Sequence, residues 1–126
     1  MPKVLIVDDA DIPPQFDFLG DFLKQNGFGL FSAKDGQEAI ERARLKQPDI
    51  ILMDLLMPTM DGWEATKIIK KSKETQHIPI IALSATLYTA ENQKKTLAAG
   101  CDDMQVRPVE LPLLLEKMNR LLSRDP

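Results

Sequence analysis

This chain of 126 residues has little that would cross a membrane or brace it covalently. Its single cysteine, Cys101, allows no intramolecular disulfide, which fits a reducing compartment. Its apolar runs are a handful of residues long, far short of a membrane span. The N-terminus passes at once into such a run, without a signal-peptide pattern, so the expected location is cytoplasmic. No long Lys/Arg cluster is present and the net charge is −3, which argues against nonspecific nucleic-acid binding. There is no Gly-rich loop followed by Lys-Ser/Thr, which excludes a P-loop enzyme. The one histidine, His77, precedes Ile78-Pro79 and reads as an ordinary surface residue.

What is present is an ordinary mixture for one folded domain, 44% hydrophobic and 28% charged. The expectation is a single domain over residues 1–126, with 124–126 as a tail or linker start. Val4–Val7, Ile50–Met53 and Ile78–Leu83 are nearly continuous apolar stretches, as strands buried on both faces of a parallel sheet are. Gly29–Ala33 and Met104–Val106 are weaker, edge-like candidates. Five helical patterns alternate with these stretches. The first is capped by Asp11, carries Pro13 and Pro14 in its opening turn, has the stripe Phe16, Leu19, Phe22, Leu23 and ends at Gly27. The others run over Gln37–Lys46, Gly62–Lys71, Thr89–Ala99 and the leucine stripe Leu111–Leu122. This alternation predicts an α/β three-layer sandwich around a parallel five-stranded sheet. The economical strand order is the flavodoxin-like 2-1-3-4-5, which puts strands one and three together at the switch point where ligands bind.

Those two strands both end in acid: Val4–Val7 runs into Asp8-Asp9, and Ile50–Met53 into Asp54. Three carboxylates at one sheet rim repel each other unless a counter-ion is present, and hard oxygen ligands suit Mg²⁺. Two further strand ends complete the rim, with Ser84 after Ile81-Ala82-Leu83 and Arg107-Pro108 after Met104-Gln105-Val106. Three carboxylates, a hydroxyl and a cation suit an aspartate that accepts a phosphoryl group. The carboxylate is the nucleophile, a metal screens two approaching anions, and the hydroxyl and the cation hold the incoming oxygens.

With Asp8-Asp9, Asp54, Met57-Pro58-Thr59-Met60-Asp61-Gly62, Ser84-Ala85, Gly100-Cys101-Asp102-Asp103 and Pro108 in order, the chain resembles a response-regulator receiver domain over essentially its whole length. The resemblance implies that Asp54 is the phosphoacceptor. It implies Mg²⁺ bound directly by Asp9, mainly through water by Asp8, and also by Asp54 and the backbone carbonyl of Leu56. Ser84 would hydrogen-bond the phosphoryl group, and Arg107 would supply the positive charge. The implied donor is a histidine kinase, a histidine phosphotransfer protein or a small acyl phosphate. The implied output is a changed surface on the fourth helix, fifth strand and fifth helix, read by a downstream protein, with the edge of the last helix available for a homodimer. No membrane or direct nucleic-acid partner is implied. The domain would be a consumed acceptor with its own phosphorylation and dephosphorylation chemistry, not a metabolic enzyme.

Two positions depart from that pattern. Arg107 stands where the family usually has lysine, and a planar, bidentate guanidinium is no conservative exchange. It could bind the phosphoryl group off-axis, or hold the resting pocket through a fork to Asp54. Met104 stands where the family often has an aromatic switch residue, and a thioether chain is adaptable but has no ring. Leu56 and Thr86 flank the attack path, where their bulk should govern water access. Rival functions fit less well. Asp8, Asp9 and Asp11 would repel a flavin phosphate at the first loop. A haloacid-type phosphatase usually carries a second aspartate where Leu56 stands, and a cap insertion for which this chain has no room. A pseudo-receiver, used as a phosphorylation-independent docking module, is favoured by Arg107 alone; the acidic triad and Ser84 favour the switch.

Overall fold

The computed structural model describes residues 1–9, 18–57 and 60–123. The cap at Asp11, Pro13, Pro14 and Phe16, the Pro58-Thr59 pair and the 124–126 tail lie outside the described residues. Five strands form one parallel sheet: β1 (Lys3–Val7), β2 (Gly29–Ala33), β3 (Ile50–Asp54), β4 (Ile80–Ser84) and β5 (Asp103–Val106). Their order is β2-β1-β3-β4-β5, as the flavodoxin-like expectation required. The helices between them are α1 (Phe18–Gln25), α2 (Gly36–Lys46), α3 (Gly62–Lys71), α4 (Ala90–Ala99) and α5 (Leu111–Leu122).

Side chains alternate across the sheet and divide the core in two. Leu5, Val7, Ile51, Met53, Ile80 and Ala82 meet Ala39 and Ala43 of α2, Ala65 and Ile69 of α3, and Ala99 of α4. Val4, Ile6, Ile50, Leu52, Ile81 and Leu83 meet Leu23 of α1 and Leu114 and Met118 of α5. A fully buried Leu or Ile contributes roughly 2 kcal/mol relative to exposure. The central strands therefore hold the rim residues on a rigid base.

Several ends differ from the sequence reading, each for a local reason. β4 begins at Ile80 rather than Ile78, because Pro79 has no N–H to give the ladder; its carbonyl still accepts from Ile51 N at 2.9 Å. Thr89 is the cap of α4, its hydroxyl accepting from Asn92 N, rather than its first helical residue. Before it lies a 3-10 turn, Ala85–Tyr88, that the sequence pattern did not disclose. At the end of the sheet away from the acidic rim, the Asp102 carboxylate accepts from Lys70 Nζ and from Ile80 N, both at 2.8 Å. Lys70 also donates to the Ile78 carbonyl at 2.7 Å, tying α3 to the starts of β4 and β5.

Candidate functional site

Strand register assembles the site. Val7 pairs with Met53, so Asp8 follows β1 level with Asp54 at the end of β3. Asp54 pairs with Leu83 and Ser84 with Val106, which brings Ser84 and Arg107 to the same rim. One carboxylate oxygen each from Asp8, Asp9 and Asp54 lies within 4.8 Å of the others. The convergence read from two strand endings is thus present, and three close oxygen donors of negative charge fit a hard divalent cation. A depression of ≈ 430 Å³ opens beside them, lined by Asp9, Leu56, Met57, Asp61 and Trp63.

Asp54 is half-buried, and its carboxyl pKa is raised above the ordinary 3.8, first by desolvation and then by the charges of Asp8 and Asp9. The Leu56 N–H, 3.3 Å from Asp54 Oδ1, and the Arg107 charge oppose that rise without cancelling it. Folding therefore disfavours the ionised form. Asp54 adds no penalty below its unfolded value, and stability is lost as pH rises through its folded value. Asp54→Asn is accordingly expected to raise the Tm at neutral pH without divalent cation, the gain vanishing below about pH 3.8. A Tm difference that stayed constant across that pH series would contradict this account.

Arg107 corrects one of the two arrangements left open by the sequence. Its guanidinium makes no fork to Asp54; one nitrogen, Nη2, lies 3.2 Å from Asp8 Oδ2. Arg107 and Asp8 line one depression with Phe18 and Leu19 of α1 and Leu111 of α5, so the pair lies on the α1–α5 side of the rim. Its Nε is buried and has no hydrogen-bond partner among the described residues. The Arg107–Pro108 peptide bond is cis. Ser84 is buried and serves as a cap, its Oγ accepting from Thr86 N at 3.2 Å and lying 2.9 Å from Thr86 Oγ1.

The neighbours of the site have structural duties. Asp61 caps α3 by accepting from Glu64 N at 2.9 Å. Gly62 is required because a Cβ there would overlap the Asp54 carbonyl oxygen and lie 2.8 Å from Leu55 Cα. Leu56 is 52% exposed, and Met104 packs against the α2–α4 half of the core. His77 is exposed. The pairing of Arg107 with Asp8 and the roles of Asn92 and Thr96 behind Ser84 escaped the sequence reading. An amide residue in the first turn of a helix that follows a hydroxyl-rich loop was the available signal for Asn92.

Among the described residues no helix is long and apolar enough to cross a membrane. The polar-differentiation response regulator DivK of Brucella anthropi is 32% identical over 124 residues, 98% of each chain. The chemotaxis response regulator CheY4 of Vibrio cholerae superimposes with a TM-score of 0.85 at 30% identity, over 96% of this chain and 98% of that one. The receiver domain of the sensor histidine kinase PA1611 from Pseudomonas aeruginosa, solved with a magnesium ion coordinated in its active-site cleft, gives a TM-score of 0.86 at 28% identity over 98% of both chains. Receiver domains of this kind are phosphorylation-based switches of two-component signalling. The family model described as response regulator receiver domain matches residues 4–119, from β1 into α5, and the chain belongs to that family.

Proposed function

We propose that Asp54 accepts a phosphoryl group from a phosphohistidine of a histidine kinase or phosphotransfer protein, and that the modified domain presents an altered α4–β5–α5 surface to a downstream protein. The observation that carries this reading is the meeting of the Asp8, Asp9 and Asp54 carboxylates within 4.8 Å at the rim that also holds Ser84 and Arg107. An Asp54 carboxylate oxygen attacks phosphorus, the O–P bond forms, the P–N bond to the donor imidazole breaks, and the imidazole leaves with that electron pair. Asp9, Asp54 and the Leu56 carbonyl, with Asp8 mainly through water, would hold Mg²⁺, which would supply charge neutralisation between the two anions. Ser84 turns from Thr86 to donate to a phosphoryl oxygen. Arg107 brings a second donor, Nε–H, that has no partner among the described residues. The domain spans residues 1–126, works in the cytoplasm, is consumed as an acceptor rather than turning over as a metabolic enzyme, and can pair as a homodimer along α5.

A second reading, the phosphorylation-independent docking module, draws on the Arg107–Asp8 pair, which gives the acidic rim a cation of its own. Intact-protein mass after incubation with acetyl phosphate separates the two. The switch gives a Mg²⁺-dependent phosphoryl adduct that Asp54→Asn abolishes. A folded protein that takes up nothing, from acetyl phosphate or from a phosphorylated histidine phosphotransfer protein, would favour the docking module.

A further inference from the structure

A line of hydrogen bonds runs from Ser84 away from the acidic rim and returns to it by another route. Ser84 Oγ lies 2.9 Å from Thr86 Oγ1. Asn92 Nδ2 donates to the Thr86 carbonyl at 3.0 Å, and Thr96 Oγ1 donates to the Asn92 carbonyl at 2.7 Å. Trp63 Nε1 donates to Thr96 Oγ1 at 3.0 Å. Trp63 lies in the first turn of α3 and lines the depression beside Asp9, so both ends of the line touch the site. Thr96 is fully buried and Trp63 nearly so, with Lys95 Nζ 3.9 Å from the centre of the indole ring, so the Trp63–Thr96 bond faces little competition from water, while the bonds at Thr86 and Asn92 are partly buried.

The Asn92 side chain is not needed to start α4. The Thr89 hydroxyl already caps the helix through the Asn92 backbone N–H. Its amide instead reaches back to the 3-10 turn, as does that of Gln93, which donates to the Leu87 carbonyl at 2.8 Å. A 3-10 turn has weak hydrogen-bond geometry of its own. Two straps from the helix behind it therefore hold the carbonyls of Thr86 and Leu87, and Thr86 is the residue whose hydroxyl meets Ser84.

We infer that Asn92 is a positioning residue: it latches the Ala85–Tyr88 turn in the arrangement that keeps Ser84 engaged with Thr86, and Thr96 passes the state of the latch to Trp63. The inference rests on the reading of Ser84 as a phosphoryl ligand and deepens it. The turn is the two-state element, and the latch biases it toward rest.

Asn92→Asp isolates the latch. The shape, the backbone cap and the helix remain, and an acid in the first turn is favoured by the helix dipole. The donor to the Thr86 carbonyl is replaced by a carboxylate oxygen, which that carbonyl repels, so the latch is opened and not merely weakened. A purely structural side chain would leave the Tm level or higher and the turn unmoved. Positioning instead predicts displaced amide resonances for Ser84–Tyr88 and a displaced Trp63 indole resonance in the unphosphorylated protein. It also predicts phosphorylation by acetyl phosphate faster by about threefold or more, as for loss of one hydrogen bond that holds one of two states. In the double variant Asn92→Asp/Thr96→Val the turn amides should still shift relative to Thr96→Val, while the indole ceases to follow them. Unmoved turn amides in Asn92→Asp, or a slower rate, would overturn the inference. The resonance measurements need no phosphoryl donor, so they judge the latch even if Asp54 proves not to be the acceptor.

Discussion

Arg107→Met is expected to tighten Mg²⁺ binding by about two- to fivefold, a loss of one partly exposed ion pair expressed as coupling between the guanidinium and the cation. Arg107 Nη2 sits 3.2 Å from Asp8 Oδ2, and the two side chains are 34% and 23% exposed. The guanidinium is thus a resident counter-ion for a cluster whose donor set fits a divalent cation. Anything that draws Asp8 toward the metal must loosen Arg107, and by reciprocity Arg107 must weaken the metal. Methionine keeps the stem and removes the charge. The sign holds only where Asp54 is ionised, because Arg107 also lowers the raised Asp54 pKa and its removal lets that pKa rise further. Calorimetric titration with Mg²⁺ at mildly alkaline pH avoids that complication. Equal affinities in the two proteins would mean that Arg107 leaves Asp8 at no cost and is no competitor. The same variant should retain the apo fold, since the ion pair lies at the rim and not in either half of the core.

Gly62→Ala is expected to destabilise the protein by roughly 3 kcal/mol or more, at the upper end for overpacking, because the obstacle is backbone rather than a yielding side chain. A Cβ at this position meets the Asp54 carbonyl oxygen and Leu55 Cα. The Gly62 N–H donates to the Leu55 carbonyl at 3.0 Å, which fixes how closely α3 approaches the end of β3. Relief requires either α3 or the Asp54 backbone to move, so the loss of stability comes with a displaced Asp54, the proposed phosphoacceptor. Urea unfolding reads the first effect and the phosphoryl adduct by mass the second. A Gly62→Ala protein with unchanged midpoint would show that the α3 start has slack the close contact denies.

The fold was legible because its strongest signals are long and periodic. Val4–Val7 and Ile50–Met53 are too apolar to be anything but buried, and their acidic endings marked one rim before any register was known. The register then carried Asp54, Ser84 and Arg107 where the strand endings implied. What escaped was short-range and competitive. The Ala85–Tyr88 turn has no hydrophobic period to announce it, and its position depends on amides from a helix that follows it. The choice of Asp8 over Asp54 by Arg107 is a matter of ångströms that residue type cannot encode. Pro79 was legible in principle, yet the apolar run around it concealed that a proline inside the run gives the ladder no N–H, so the paired strand starts after it.

The buried thiol of Cys101 has a practical consequence. It is 6% exposed, lies 3.8 Å from Thr66 Oγ1, and desolvation pushes its pKa up to about 11. At neutral pH almost none of it is thiolate, the form that reacts with maleimides and haloacetamides. The protein is therefore already a silent background for thiol labelling. A cysteine introduced at Leu97, exposed on α4, would take a fluorophore or spin label alone, and movement of that helix could be followed without first removing a residue from the core.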